Sequence, residues 1–215
     1  MSNSLEWIGG VGIVPVVRLE QPAEGIPLAR ALLAGGLPCA EITFRTQAAA
    51  DAIRQIAAAV PEVVVGAGTV VSVDQARQAV DAGASFIVSP GFGPKVVEWC
   101  LQARVPVLPG VATPSDILLA LDHGLTILKF FPAESLGGTP MLEAMAAPFG
   151  GVRFVPTGGI TAANLGAYLK LPAVIAVGGS WLVAPKLIAA GKFDEITRLT
   201  QEAVSAVRMA RGDGA

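Results

Sequence analysis

Lys129 stands in the apolar run Ile127-Leu128-Lys129-Phe130-Phe131, just ahead of Pro132-Ala133-Glu134. An ammonium among such neighbours either finds an anion or gives up its proton, because burial disfavours the charged form. A neutral amine is a nucleophile. Its characteristic target is a ketone or aldehyde carbonyl, with which it forms a Schiff base that draws electrons. The plainer reading is a strand-end lysine whose stem packs while its head reaches water.

A second set of polar residues shares one spacing. In Glu41-Ile42-Thr43-Phe44-Arg45 the residues at i, i+2 and i+4 point together if the segment is a strand. Facing a barrel interior, Glu41, Thr43 and Arg45 look into the cavity of Lys129, while Ile42 and Phe44 meet the helices. Glu41 and Arg45 alone could be a mutually neutralising plug. One carboxylate does not account for two cations, whereas the carboxylate of a keto acid held by Arg45 balances the second. Gly66-Ala67-Gly68-Thr69 offers floor space and a hydroxyl. Gly158-Gly159 after Thr157, and Gly178-Gly179 before Ser180, are glycine pairs whose backbone N–H groups can approach a phosphate. Ser89-Pro90-Gly91 and Pro109-Gly110-Val111 read as tight turns shaping a mouth. His123, the only histidine, ends a helical pattern, and Trp7, Trp99 and Trp181 read as packing residues, with Trp181 placed to cover a phosphate. No His, Cys and carboxylate cluster suggests a metal, and the two cysteines, Cys39 and Cys100, read as buried thiols.

These residues need elements to hold them. Short Val- and Ile-rich runs at 12–18, 39–44, 63–67, 86–89, 105–108, 127–131, 154–157 and 174–177 predict strands. Helical patterns fall at 23–34, 48–59, 73–82, 94–103, 115–122, 140–147, 162–169 and 194–209, after a short N-terminal helix around 5–8. Gly35-Gly36, Gly83 and Gly124 suit left-handed helix ends, and Ser115 and Thr161 suit helix starts. Strict alternation implies parallel strands with right-handed crossovers, and eight units close a (β/α)8 barrel. An open doubly wound sheet is the rival. No early Gly-x-Gly-x-x-Gly turn supports it, and the glycine pairs follow the last two strands, where barrels bind phosphate.

Length and composition agree. A chain of 215 residues suits one domain, 1–215, with a tail from about Arg211 expected to fray. An apolar fraction of 53% and mean hydropathy of +0.61 fit parallel strands buried on both faces. A net charge of -2 gives no basic surface for nucleic acid. The longest uncharged stretches, such as 171–185, are broken by Gly and Pro and too short for a bilayer, so no membrane is expected. The opening residues lack a secretory pattern and the C-terminus lacks a lipidation box, so a cytoplasmic location is expected.

The motifs Glu41-Ile42-Thr43-Phe44-Arg45-Thr46, Gly66-Ala67-Gly68-Thr69-Val70, Leu128-Lys129-Phe130-Phe131-Pro132-Ala133-Glu134, Pro156-Thr157-Gly158-Gly159-Ile160 and Gly178-Gly179-Ser180-Trp181-Leu182 together resemble the 2-keto-3-deoxy-6-phosphogluconate (KDPG) aldolases. The likeness spans nearly the whole chain. It implies a class I aldolase of the Entner–Doudoroff route, without metal or other cofactor, that yields pyruvate and glyceraldehyde 3-phosphate. It implies Lys129 as the Schiff-base residue, Glu41 as the proton carrier, and Arg45 with Thr69 at the pyruvyl carboxylate. Gly158, Gly159, Gly179 and Ser180 would hold the phosphate, Thr157 would lie near the substrate hydroxyls and Phe131 against the pyruvyl group. Pro90 and Arg18 complete the candidate substrate-binding set; Arg18 departs from the pattern, since members closest in the other motifs often have an apolar residue there while related keto-acid aldolases can carry arginine, which bears on substrate range. A homotrimer is also implied. The alternatives are an aldolase for the galactonate epimer, or a phosphate-binding barrel acting as an isomerase or as a sensor without covalent chemistry.

Overall fold

Apolar runs too short for helices become strands in the computed structural model, which describes residues 5–212. They are β1 (Ile13–Val17), β2 (Cys39–Thr43), β3 (Val64–Gly68), β4 (Ile87–Val88), β5 (Val107–Leu108), β6 (Gly110–Val111), β7 (Ile127–Phe130), β8 (Arg153–Pro156) and β9 (Val177–Gly179). All pair in parallel, as a six-stranded part in the order β5-β4-β3-β2-β1-β9 and a three-stranded part β6-β7-β8. β5 and β6 are halves of one barrel strand interrupted at Pro109, which has no N–H to give to a ladder. Its carbonyl accepts the Lys129 N–H at 2.9 Å, so the wall continues through the break. The bridges Phe154↔Val174 and Thr157↔Gly178 join the last strands and close a (β/α)8 barrel.

Outside lie α2 (Gly25–Ala34), α3 (Ala49–Ala59), α4 (Val73–Asp81), α5 (Pro94–Gln102), α6 (Pro114–Asp122), α7 (Gly138–Ala146), α8 (Leu165–Leu169), α9 (Pro185–Ala189) and α10 (Phe193–Arg211), after the N-terminal α1 (Trp7–Val11). Their inner faces, with Leu28, Ile53, Val97, Ile117 and Leu142, pack on Ile42, Leu128 and Phe130 in the larger core. A second cluster fills the barrel: Val14, Phe86, Val88, Leu108, Ile127, Val155 and Ala176, joined by Leu5 and Ile8. Ile127 is the first residue of β7 and Val14 the second of β1, so this cluster occupies the amino end of the barrel. Leu5 and Ile8 close that end, with Trp7 set edge-on to Phe86 at 5.6 Å. Each of the buried Val, Leu, Ile and Phe side chains contributes about 1.5–3 kcal/mol.

Four expectations are corrected. Pro109-Gly110-Val111 is strand rather than turn, because Gly110 pairs with Lys129 and Val111 with Phe130. The last strand is Val177–Gly179, with Val174 holding only a bridge, so Gly178 and Gly179 lie inside a strand. Glycine is accepted there because an added Cβ would overlap the Thr157 hydroxyl at Gly178 and the Trp181 ring at Gly179. Helix α6 starts from Thr113, which forms a capping box with Asp116, and Pro114 takes the first turn in place of Ser115. Arg211 does not fray: it belongs to α10 and donates to Gly9 O at 2.6 Å and to Ile175 O. The expected tail beyond 212 lies outside the described residues.

Candidate active site

Lys129 follows Ile127 by two residues on β7, so it shares the interior face, above the apolar filling. It is 5% exposed. β2 brings Glu41 to the same level, with Ile42 turned to the helices and Glu41 itself 2% exposed. The Lys129 Nζ donates to Glu41 Oε1 at 3.3 Å, so the buried lysine has found its anion. The register Glu41↔Gly66 sets β3 beside the acid. A Cβ on Gly68 would lie 2.6 Å from Glu41 Cδ, so the carboxylate occupies the room that a side chain would take. The Phe131 ring centroid is 5.4 Å from Nζ, on the open side of the pair, and the Phe131–Pro132 peptide is cis.

Arg45 is not part of that pair. Its Nε donates to Thr43 Oγ1 at 3.3 Å, while Thr43 Oγ1 donates to Val17 O at 2.8 Å. Its guanidinium is exposed, pairs with no carboxylate among the described residues, and borders a groove with Gln47, Gln75 and Gln78. The plug of Glu41 with Arg45 is therefore absent. Arg18 is held 2.9 Å from Glu20 at the surface.

Thr69, next after β3, has φ +58°, a left-handed conformation that costs a β-branched residue about 1–3 kcal/mol. Its neighbours hold it there. Phe44 N donates to Gly68 O at 2.7 Å, Val70 N to Val88 O at 3.1 Å, and the buried Ser89 hydroxyl to Val70 O at 2.8 Å. Pro90 follows, and its carbonyl passes so close to Gly110 that no Cβ fits between them.

Gly158 and Gly159, at φ +100° and +81°, make a turn whose carbonyls are taken. Glu134 N donates to Gly158 O at 3.1 Å and Asn164 Nδ2 to Gly159 O at 3.1 Å. The bridge Thr157↔Gly178 places this turn beside Gly179 and Ser180, as expected for neighbouring strand ends. Trp181 packs over Gly179, and Thr157 is buried.

Other candidates stay apart from the site. His123 caps α6, with Nδ1 2.8 Å from Leu119 O. Burial pushes the thiols of Cys39 and Cys100 up to about 12, so neither is a nucleophile at neutral pH. Among the described residues no three His, Cys, Asp or Glu side chains gather as a metal site. The sequence reading missed Ser89, Phe86 beneath the pair, and the contact of Glu134 with Tyr168. The buried Ser89 hydroxyl beside a tight turn was the only one of these with a visible signal.

A (β/α)8 barrel whose mouth holds a buried amine against a single carboxylate belongs to the barrels equipped for Schiff-base chemistry. The KDPG and KHG aldolase family profile matches residues 7–199, and the chain belongs to that family. It is 50% identical over 207 residues to the 2-dehydro-3-deoxy-phosphogluconate aldolase of Treponema pallidum, covering 96% of this chain and 99% of that one. The 2-keto-3-deoxy-6-phosphogluconate aldolase of Zymomonas mobilis ZM4, solved with 3-phosphoglycerate, superposes with a TM-score of 0.89 at 42% identity, over 95% of this chain and 97% of that chain. The KDPG aldolase of Legionella pneumophila, with pyruvate captured as a covalent carbinolamine, gives a TM-score of 0.90 at 37% identity, over 95% and 98%.

Proposed function

We propose that this chain is a class I aldolase that reversibly cleaves KDPG to pyruvate and glyceraldehyde 3-phosphate, with 4-hydroxy-2-oxoglutarate, giving pyruvate and glyoxylate, as a second substrate. The observation that carries it is the Lys129–Glu41 pair, 3.3 Å apart and shut from solvent except at the mouth. Transfer of one proton from Lys129 to Glu41 leaves an amine and a carboxylic acid. The amine adds to C2 of the keto acid, and the acid returns its proton to the departing hydroxyl, giving an iminium and water. The iminium accepts the C3–C4 bonding electrons while the Glu41 carboxylate removes the C4 hydroxyl proton. The aldehyde leaves, the enamine takes a proton at C3, and hydrolysis releases pyruvate from Lys129.

Arg45 and Thr69 are assigned to the pyruvyl carboxylate; Arg45, anchored at Nε on Thr43 Oγ1, pairs with no carboxylate among the described residues and must swing in from its groove to reach the substrate, and Thr69 is held in strain. Phe131 and Pro90 line the pyruvyl end, Thr157 meets the substrate hydroxyls, and Arg18 stands at the rim. The amides of Gly158, Gly159 and Ser180 take the phosphate, the carbonyls of the first pair being already bonded, and Gly179, laddered to β1, lines the site beside them. The capture of pyruvate and of 3-phosphoglycerate by the Legionella and Zymomonas proteins supports both ends of this assignment. The test is mass spectrometry after pyruvate and borohydride. A reduced pyruvyl adduct on the Lys129 peptide is expected, and an unmodified Lys129 peptide from fully active protein would sink the mechanism.

Residues 1–215 form, on this proposal, a single aldolase domain that works as a homotrimer. Apolar side chains stand outside the core, with Val71 63% exposed and Leu118 and Leu121 one turn apart on α6 at 55% and 36%. Light scattering should give about three times the 21.9 kDa chain mass; a monomer mass at working concentration rejects the trimer. Among the described residues no helix is long and apolar enough to cross a membrane. Free buried cysteines fit the cytoplasmic location read from the sequence.

A further inference from the structure

We propose that Glu134 and Tyr168 form a brace that fixes the Gly158-Gly159 turn and thereby sets the affinity for the substrate's phosphate; this rests on reading that turn as part of the phosphate site. After β7 the chain is stitched to the turn, with Ala133 N donating to Thr157 O at 2.8 Å and Glu134 N to Gly158 O at 3.1 Å. The stem of Glu134 then lies across Gly159: a Cβ added there would be 2.6 Å from both its Cβ and its Cγ. Its carboxylate accepts the hydroxyl of Tyr168 on α8, the helix that follows the turn. Tyr168 is 1% exposed and belongs to the main core, so its hydroxyl is a fixed point. Gly138 lies against both ends of the bond, since a Cβ there would be 3.4 Å from Glu134 Oε1 and 3.5 Å from the Tyr168 hydroxyl.

A carboxylate beside an anion site is electrostatically unfavourable, so what it contributes there must be geometric. Its charge is directed onto the phenol, in a hydrogen bond stronger than one between neutral groups. Burial, then the hydrogen bond and charge of Glu134, push the phenol above its ordinary range, so the hydroxyl keeps its proton and remains the donor. The Glu134 backbone N–H and the Asn164 side chain thus hold the two carbonyls of the turn, and the brace ties the segment after Lys129 to the helix after the turn. Glu134 and Tyr168 are positioning residues that touch neither the reacting carbons nor the amine.

The test compares Tyr168→Phe, Glu134→Ala and Glu134→Gln in the full-length enzyme. Tyr168→Phe and Glu134→Ala should raise KM for KDPG roughly tenfold and weaken inhibition by inorganic phosphate in proportion. Their kcat, their pyruvate trapping with borohydride, and their kcat/KM for unphosphorylated 4-hydroxy-2-oxoglutarate should stay within about twofold of the unaltered enzyme. Glu134→Gln keeps an acceptor for the phenol and should restore KM. An unchanged KM in Tyr168→Phe overturns the proposal, as does an equal loss on both substrates or a Glu134→Gln as defective as Glu134→Ala. An unaltered enzyme that traps no pyruvate would instead sink the aldolase reading, and this inference with it.

Discussion

Glu41→Gln is expected to lower KDPG cleavage by roughly two to four powers of ten while pyruvate can still be trapped on Lys129. The amide fills the same space beside Gly68, so packing is kept, but it neither takes a proton from the C4 hydroxyl nor returns one to the departing oxygen. Lys129 itself is unaltered and still adds to the keto carbon. Imine formation and bond cleavage therefore separate in this variant. Single-turnover measurement of aldehyde release beside borohydride trapping reads both steps. Turnover at the unaltered rate would show that another group carries the proton.

Gly68→Ala should be nearly as damaging, although it adds only a methyl group and touches no substrate. The new Cβ would lie 2.5 Å from Glu41 Cγ and 2.6 Å from Cδ. β3 is held between β2 and β4 and cannot retreat, so the carboxylate must leave its place opposite Lys129. A fall in kcat of about a hundredfold or more follows from losing a positioned general base. Gly66→Ala is the control. Two residues earlier on the same face, its Cβ would meet the Phe86 ring in the apolar filling. That substitution should cost about 1–3 kcal/mol of stability from overpacking and leave kcat nearly intact. Thermal unfolding with kcat for the pair decides the matter, and full activity in Gly68→Ala would refute the steric role given to that glycine.

The chemistry was legible where residue type conflicts with its surroundings. A lysine among Ile127, Leu128 and Phe130 announces itself, and period-two spacing placed Glu41 and Thr43 on the matching face. What stayed hidden depends on who sits opposite. Gly68 reads as open floor, but its emptiness is filled by a carboxylate from the next strand. Gly178 and Gly179 read as lying past the last strand because glycine is scarce in strands, and only the Thr157 hydroxyl and the Trp181 ring explain them within it. Pro109 masked the second half of its strand by removing one ladder donor. Tyr168 falls within the helical pattern 162–169 with nothing to single it out, and its partner lies 34 positions away. Arg45 shows the limit of face arguments, since a long side chain at a strand end can turn outward.

The filled amino end of the barrel has a consequence for traffic. With Phe86, Ile127, Leu5 and Ile8 packed beneath Lys129, the described residues close the amino end of the barrel and leave the carboxyl end as the way in. Substrate, water and both products pass the same rim. On the proposed assignment the aldehyde fragment, with its phosphate at the Gly158-Gly159 turn, lies on the mouth side of the pyruvyl group bonded to Lys129. The water that frees pyruvate comes in along the path the aldehyde vacates. The covalent bond to Lys129 makes departure a queue, aldehyde first and pyruvate last, and the plug of side chains, which takes no part in the reaction, leaves both the same exit.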